Sequence, residues 1–142
     1  MRIQDIMSRK VVSIAPDTPV SVAREQMRLN EIDHLVVTSG KRIVGLVAGR
    51  DLNGADDAEP ISSVMKRHVV SITPRATVRR AAGVMRGRAV GSLPVVENGR
   101  VVGIVTTSDL LTALSKGEIH AAPPRERYIL RQRGPRKRLV PV

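Results

Sequence analysis

Along residues 1–116, short apolar runs typical of strands alternate with segments in which apolar residues recur every three or four positions, as in helices. This pattern predicts a mixed α+β fold. Residues 11–14 form a short β-branched run that Pro16 ends, which predicts a strand. Three apolar residues then recur at spacings of three and four, as on one face of a helix: Val20, Ala23 and Met27. Thr18 is the predicted N-cap of this helix, with Pro19 at its first position and Asn30 at its end.

Two further strands and a second helix complete the predicted unit. Residues 35–37 and 42–47 are apolar and separated by a short polar join, which predicts a β-hairpin. The matching join later in the chain contains Asn98-Gly99, a dipeptide typical of tight hairpin turns. A helix is expected after each hairpin, from Asp109 to about residue 115 in one case and a shorter one from Asp51 in the other. The predicted order is strand, helix, strand, strand, helix.

This unit occurs twice in the chain. Residues 3–52 align with residues 61–110 without a gap, and 20 of the 50 aligned pairs are identical. Neither copy is large enough to bury its apolar sheet face alone, so we expect the two copies to pack about a pseudo-twofold axis. The predicted boundaries are residues 1–57 for the first repeat, 58–116 for the second and 117–142 for a C-terminal tail.

Composition narrows the class of protein. The chain of 142 residues has 42% apolar residues but no Phe, no Trp and a single Tyr, so its core must be aliphatic. It has no Cys, no apolar run of membrane-spanning length and no apolar signal segment, so we expect a cytoplasmic protein. The formal charge of +11 favours anionic partners, and the tail contributes +5 of it from 7 basic and 2 acidic residues.

Three segments, taken in order, resemble the cystathionine β-synthase (CBS) domain family: Asp5-Ile6-Met7 ahead of residues 11–14, Leu93-Pro94-Val95-Val96, and Gly103-Ile104-Val105-Thr106 followed by Asp109. The resemblance covers residues 1–115 and implies a tandem CBS pair, or Bateman module. It implies regulatory binding of adenosine nucleotides (AMP, ADP, ATP or a related compound) in clefts between the repeats. It further implies a homodimer, an effector protein that receives the signal, no required cofactor and no catalytic residue.

The turn at residues 106–109 is the best candidate for a binding site. It follows a strand and opens a helix, so free backbone N–H groups there favour a phosphate, and Gly103 lets another group approach the strand closely. Thr106 and Ser108 add hydroxyls, and Asp109 is able to accept hydrogen bonds from a ribose diol. The alternative is a capping box, in which Thr106 and Asp109 satisfy the helix end without a ligand. The resemblance adds four cleft walls: Val12, Ile32, Asp33 and Ile104.

A second cleft is expected around Asp51, and it is predicted to be the weaker site. Ala48 stands where the other turn has Thr106, so one hydroxyl is lost, while Arg50 adds a guanidinium beside the carboxylate. The remaining walls implied by the resemblance are Leu46, Val70, Val90 and Gly91. In both clefts the apolar wall residues are also good core residues, and that alternative stays open.

The tail and the histidines complete the candidate chemistry. The tail is read as an arm that binds nucleic acid or an acidic protein surface, as an added edge strand, or as a solvated segment. The three histidines have no Cys or acidic company at ligand spacing, so no metal site is predicted, and no catalytic constellation is present. Besides nucleotide sensing, the sequence leaves open a nucleic-acid-binding protein with the CBS pair as scaffold, and a ligand-free assembly subunit.

Overall fold

The computed structural model describes residues 1–117, so the role proposed for the tail lies outside the described residues. These residues form a mixed α and β structure with three α-helices and two small sheets. Its strands are β1 (Ser13–Ile14), β2 (His34–Ser39), β3 (Arg42–Ala48), β4 (Ser92–Glu97) and β5 (Arg100–Thr106). Its helices are α1 (Val20–Asn30), α2 (Val78–Arg88) and α3 (Thr107–Ser115). The predicted order of elements is present except at two places, the first strand of the second repeat and the last helix of the first repeat.

The two repeats differ at their first strands. β1 pairs in parallel with β2, which pairs antiparallel with β3. In the second repeat, β4 pairs antiparallel with β5, and the counterpart of β1 is reduced to a single parallel bridge between Ile72 and Val95. The predicted hairpin turn is present, since Asn98 and Gly99 have φ values of 53° and 76°, as a type I′ turn requires.

The start of α1 departs from the prediction. Pro19 rather than Thr18 is the N-cap, and no side chain caps the helix. The linker between the repeats supplies the missing acceptors instead, since the Val20 and Ser21 amides donate to the Glu59 and Asp57 carbonyls at 2.8 and 3.0 Å. A cap at Thr18 is therefore unnecessary. The predicted end at Asn30 is confirmed.

The helix expected from Asp51 is also different. The structure has a 3-10 turn, Gly49–Leu52, where the second repeat has the nine-residue α3. Thr106 caps α3 by accepting a hydrogen bond from the Asp109 amide, whereas Ala48 at the matching position has no side-chain acceptor. Loss of this cap removes one stabilising contact from the first turn.

Each repeat completes its partner's core. The core around α1 includes the fully buried Ile61, from the start of the second repeat. The core around α2 includes the fully buried Ile3, from the start of the first repeat. This exchange buries both segments and relates the repeats by a pseudo-twofold axis. The exchange also determines where residues 7–8 and 65–66, which follow the two segments, cross the hairpin of the other repeat.

Candidate functional site

The crossing segments form matching backbone contacts on the two hairpins. Ser8 and Ile104 exchange two backbone hydrogen bonds of 2.9 Å, and Lys66 and Leu46 exchange two of the same length. Gly103 permits the first contact, because a Cβ there would lie 2.6 Å from the Met7 Sδ and 2.8 Å from the Ser8 carbonyl oxygen. The close approach predicted at Gly103 is therefore present, and the approaching group belongs to the chain itself.

A cleft lies beside the first crossing, and we call it the Asp109 cleft. Its volume is about 370 Å³. Six of the predicted site residues line it: Ile32, Asp33, Ile104, Thr106, Ser108 and Asp109. The seventh, Val12, packs against the core around α1 and is not among the lining residues of this cleft. The sequence prediction missed four other lining residues: Ser8, Lys10, Glu31 and His34.

The capping box at the turn is present in the structure. The Thr106 amide donates to Asp109 Oδ2 at 2.8 Å, and the Asp109 amide donates to Thr106 Oγ1 at 3.2 Å. The Thr106 hydroxyl also donates to Oδ2, at 3.1 Å. Among residues 1–117, no hydrogen bond is formed to the other carboxylate oxygen, Asp109 Oδ1. Capping and ligand binding therefore need different oxygens of one carboxylate and are compatible.

The cleft around Asp51, which we call the Asp51 cleft, repeats this arrangement but is closed. The Ala48 amide donates to Asp51 Oδ2 at 2.8 Å, as Thr106 does in the other repeat. The Lys66 ammonium group donates to Asp51 Oδ1, also at 2.8 Å. The remaining cavity is about 10 Å³, which is scarcely the room of one water molecule.

The predicted walls of the Asp51 cleft are mostly in place. Five predicted residues line it: Leu46, Arg50, Asp51, Val90 and Gly91. Val70 does not; it packs against the core around α2 and lines a surface groove beside that helix. The sequence prediction missed Lys66, although it occupies the position in the second repeat that Ser8 occupies in the first. Ser8 was missed as well, so a comparison of the two repeats in sequence gave no signal at this position.

His34 lines both clefts and connects them. Burial lowers the pKa of its imidazole below the ordinary value, and Arg50 acts in the same direction. The carboxylates of Asp33, Asp51 and Asp109 oppose this shift in pKa. His34 is therefore a neutral hydrogen-bonding group near pH 7, and its charge state is coupled to acidic residues of both clefts.

The two clefts have opposite formal charge. The Asp109 cleft combines Lys10 with the carboxylates of Glu31, Asp33 and Asp109, which gives −2 with His34 neutral. None of these three carboxylates has a salt bridge within residues 1–117. The Asp51 cleft combines Arg50 and Lys66 with Asp51, which gives +1. Since residues 1–116 carry +6 overall, the open cleft is an acidic region on a basic protein.

Two kinds of feature are absent from the described residues, a membrane-spanning helix and a metal-binding cluster. None of its helices is long and apolar enough to cross a membrane. Within the same residues no group of three or more His, Asp or Glu side chains is placed to hold a metal ion.

The CBS domain model matches the chain twice, at residues 3–57 and 61–116. A CBS domain-containing protein of Dictyostelium discoideum, DDB_G0289609, is 34% identical over 140 residues, covering 86% of this chain and 96% of the relative. Inosine-5'-monophosphate dehydrogenase of Thermoplasma acidophilum is 32% identical over 112 residues. That match covers 78% of this chain but only 23% of the dehydrogenase, so it does not extend the enzyme's activity to this chain.

Solved structures give the same result. The CBS domain pair of protein MJ0100, in complex with 5'-methylthioadenosine and S-adenosyl-L-methionine, has a TM-score of 0.75 at 25% identity, covering 84% of this chain and 98% of that one. The cytosolic domain of the Mg²⁺ channel MgtE, in complex with ATP, has a TM-score of 0.66 at 28% identity, covering 76% and 46%. With its internal repeat, exchanged core segments and paired clefts, this chain belongs to the CBS domain family, as a tandem pair of CBS domains.

Proposed function

We propose that the chain is a regulatory module that binds an adenosine-containing ligand, such as AMP, ADP, ATP or a related compound, in the Asp109 cleft. One observation carries the proposal: Asp109 lines a cleft of about 370 Å³ while its Oδ1 forms no hydrogen bond within residues 1–117. The volume lies within the range of small-molecule sites, about 300–1,000 Å³. The adenosine compounds bound to MJ0100 and MgtE support the choice of ligand class.

The residues of the cleft suit the parts of an adenosine. The Asp109 carboxylate is placed to accept hydrogen bonds from the ribose hydroxyls, and Ser8 and Ser108 offer further hydroxyls. Ile32 and Ile104 provide apolar walls for the base in a chain without Phe or Trp. In the first turn of α3, the Thr107 and Asp109 amides already donate to the Gly91 carbonyl and the Thr106 hydroxyl, so within residues 1–117 the Ser108 amide is the one left for a 5' substituent.

The position of the cleft explains how binding could be transmitted. Ile32, Asp33 and His34 belong to the first repeat, and the turn at residues 106–109 belongs to the second. A ligand that contacts both repeats stabilises the relative orientation that fits it best. In the proposed function, a homodimer and an effector protein read this orientation, which makes the module a sensor without catalytic chemistry of its own.

Thermal unfolding with ATP, ADP, AMP and S-adenosyl-L-methionine tests the proposal. A ligand at 100 times its Kd stabilises the folded state by about 2.7 kcal/mol, which raises the Tm by several degrees. We expect at least one of the four to do so, and to lose this effect in the Asp109→Ala variant. No shift with any of them at millimolar concentration would refute adenosine sensing.

A second candidate function, binding of nucleic acid, is favoured by the charge on α2. Its four arginines, Arg79, Arg80, Arg86 and Arg88, have no salt bridge within residues 1–117. In the matching helix α1, Arg24 pairs with Asp57 at 2.6 Å and Arg28 with Glu25 at 2.5 Å. Unpaired arginines along one helix suit contacts with phosphate groups.

Salt-dependent binding to a DNA or RNA duplex tests this second candidate. Arg79, Arg80 and Arg88 line one groove, and their joint replacement by Ala should weaken binding and flatten its salt dependence. The matched control replaces Arg24 and Arg28, whose charges are already paired. Binding that is lost only on deletion of residues 118–142 would assign the activity to the tail. If neither nucleotides nor nucleic acids bind, a ligand-free assembly subunit remains.

A further inference from the structure

We propose that Lys66 occupies the Asp51 cleft in place of a ligand, so that each chain offers one adenosine site and not two. The inference rests on the proposed function of the Asp109 cleft and identifies the residue that makes its twin inactive. Each cleft has a carboxylate at the same place in the repeat, Asp51 and Asp109. Only one of these carboxylates still has an oxygen without a hydrogen bond inside residues 1–117.

The backbone is not the cause of the difference. Lys66 and Ser8 occupy equivalent positions in the two repeats. Each residue exchanges two backbone hydrogen bonds with the hairpin of the other repeat, and all four bonds measure 2.9 Å. The crossing segment therefore reaches both clefts in the same way, and what changes is the side chain that it places there.

The side chain at this position sets the room and the free acceptor in each cleft. The Lys66 ammonium lies 2.8 Å from Asp51 Oδ1, while Oδ2 of the same carboxylate accepts from the Ala48 amide. The Asp51 side chain is only 14% exposed, so its paired carboxylate is largely shielded from solvent. The remaining volume is about 10 Å³, against about 370 Å³ in the cleft that has Ser8.

The chemistry of the contact also favours Lys66 over a ligand. A ribose hydroxyl would have to displace the Lys66 ammonium, whose full positive charge attracts the carboxylate in addition to the hydrogen bond, whereas a hydroxyl carries no charge. The ammonium is tethered to the chain, so its effective concentration at Asp51 is high compared with that of a free metabolite. The counterpart of Thr106, the hydroxyl residue of the open cleft, is Ala48. The closed cleft therefore also lacks a hydroxyl group with which a ligand could form a hydrogen bond.

A reciprocal exchange at the two equivalent positions tests the inference. Isothermal titration of the full chain with AMP, and separately with S-adenosyl-L-methionine, gives the number of sites for the wild type, Lys66→Ser and Ser8→Lys. Lys41→Ser is the matched control, because Lys41 is exposed in a hairpin turn and lines neither cleft. Thermal unfolding of each variant shows that it is folded.

We expect one site in the wild type and in the Lys41→Ser control, and two in Lys66→Ser. Ser8→Lys should lose the wild-type site or weaken it at least tenfold, since a lysine would then lie beside Asp109. Two sites in the wild type, a wild type that binds one ligand with no added site in a folded Lys66→Ser chain, or unchanged binding by Ser8→Lys would each overturn the inference.

The same titration separates this inference from the proposed function. If the wild type binds nothing but Lys66→Ser binds one ligand, the Asp109 cleft is not the sensor, yet Lys66 does close the other cleft. If neither chain binds either probe, both proposals are withdrawn. A crystal structure of Lys66→Ser with the ligand should place the added molecule against Asp51.

Discussion

Replacing Asp109 by alanine tests the candidate site, because it removes the capping oxygen and the proposed ligand acceptor together. The variant loses both carboxylate oxygens. One of them, Oδ2, accepts the Thr106 amide at 2.8 Å, and the other is the proposed acceptor for the ribose. A hydrogen bond to a charged group contributes about 1.5–3 kcal/mol, so the loss of a single ribose contact should weaken binding about 10- to 150-fold.

Asp51→Ala is the control for the structural part of this effect. It removes an equivalent backbone contact, since Asp51 Oδ2 accepts the Ala48 amide at 2.8 Å. Both variants should therefore lose about 0.5–2 kcal/mol of unfolding free energy, as measured by urea denaturation. Titration calorimetry at fixed salt should show weaker binding by Asp109→Ala alone. Weaker binding by Asp51→Ala, with Asp109→Ala unchanged, would refute the assignment of the site.

Three further predictions follow from charge and burial. The Asp109 cleft has a formal charge of −2, so AMP should bind several-fold more tightly than ATP at low ionic strength. The difference between the two affinities should become smaller at 0.5 M salt. Tighter binding of ATP would contradict the charge argument. Burial lowers the pKa of His34 in the folded state, so the unfolded chain takes up its proton at a higher pH. This contribution to the free energy of unfolding is then fully present above about pH 6.5 and falls as the pH is lowered through that value. Urea denaturation at several pH values should show a flatter pH dependence for His34→Gln than for the wild type, and an unchanged dependence would contradict this reasoning. Leu35 and Leu93 are both 0% exposed at equivalent positions, so Leu35→Ala and Leu93→Ala should each lose about 2–5 kcal/mol of unfolding free energy, and a loss below about 1 kcal/mol would contradict this packing.

The secondary structure could be predicted because the same pattern of apolar residues occurs in both repeats. The apolar residues of α1 recur in α2, and the hairpin with Asn98-Gly99 supports the weaker turn signal of its counterpart. The error at Thr18 has a tertiary cause, since carbonyls of the linker satisfy the first amides of α1. Contacts between segments far apart in sequence leave no local signal.

The candidate site was only partly predictable for the same reason. The turn at residues 106–109 is contiguous, and its residues could be identified from their spacing. Ser8 and Lys10 reach the same cleft from the segment that crosses to the other repeat, and His34 reaches it from the start of β2. Lys66 looks like an ordinary surface lysine in the sequence, and only its contact with Asp51 shows that it fills a cleft.

A crystal structure of the full chain grown with the tightest-binding adenosine compound tests the central claim most directly. The account predicts one ligand per chain, in the Asp109 cleft, with its ribose hydroxyls within 3.2 Å of Asp109 Oδ1. It also predicts that the ion pair of Lys66 and Asp51 stays intact. An adenosine bound against Asp51, or an empty Asp109 cleft at saturating ligand, would contradict the account.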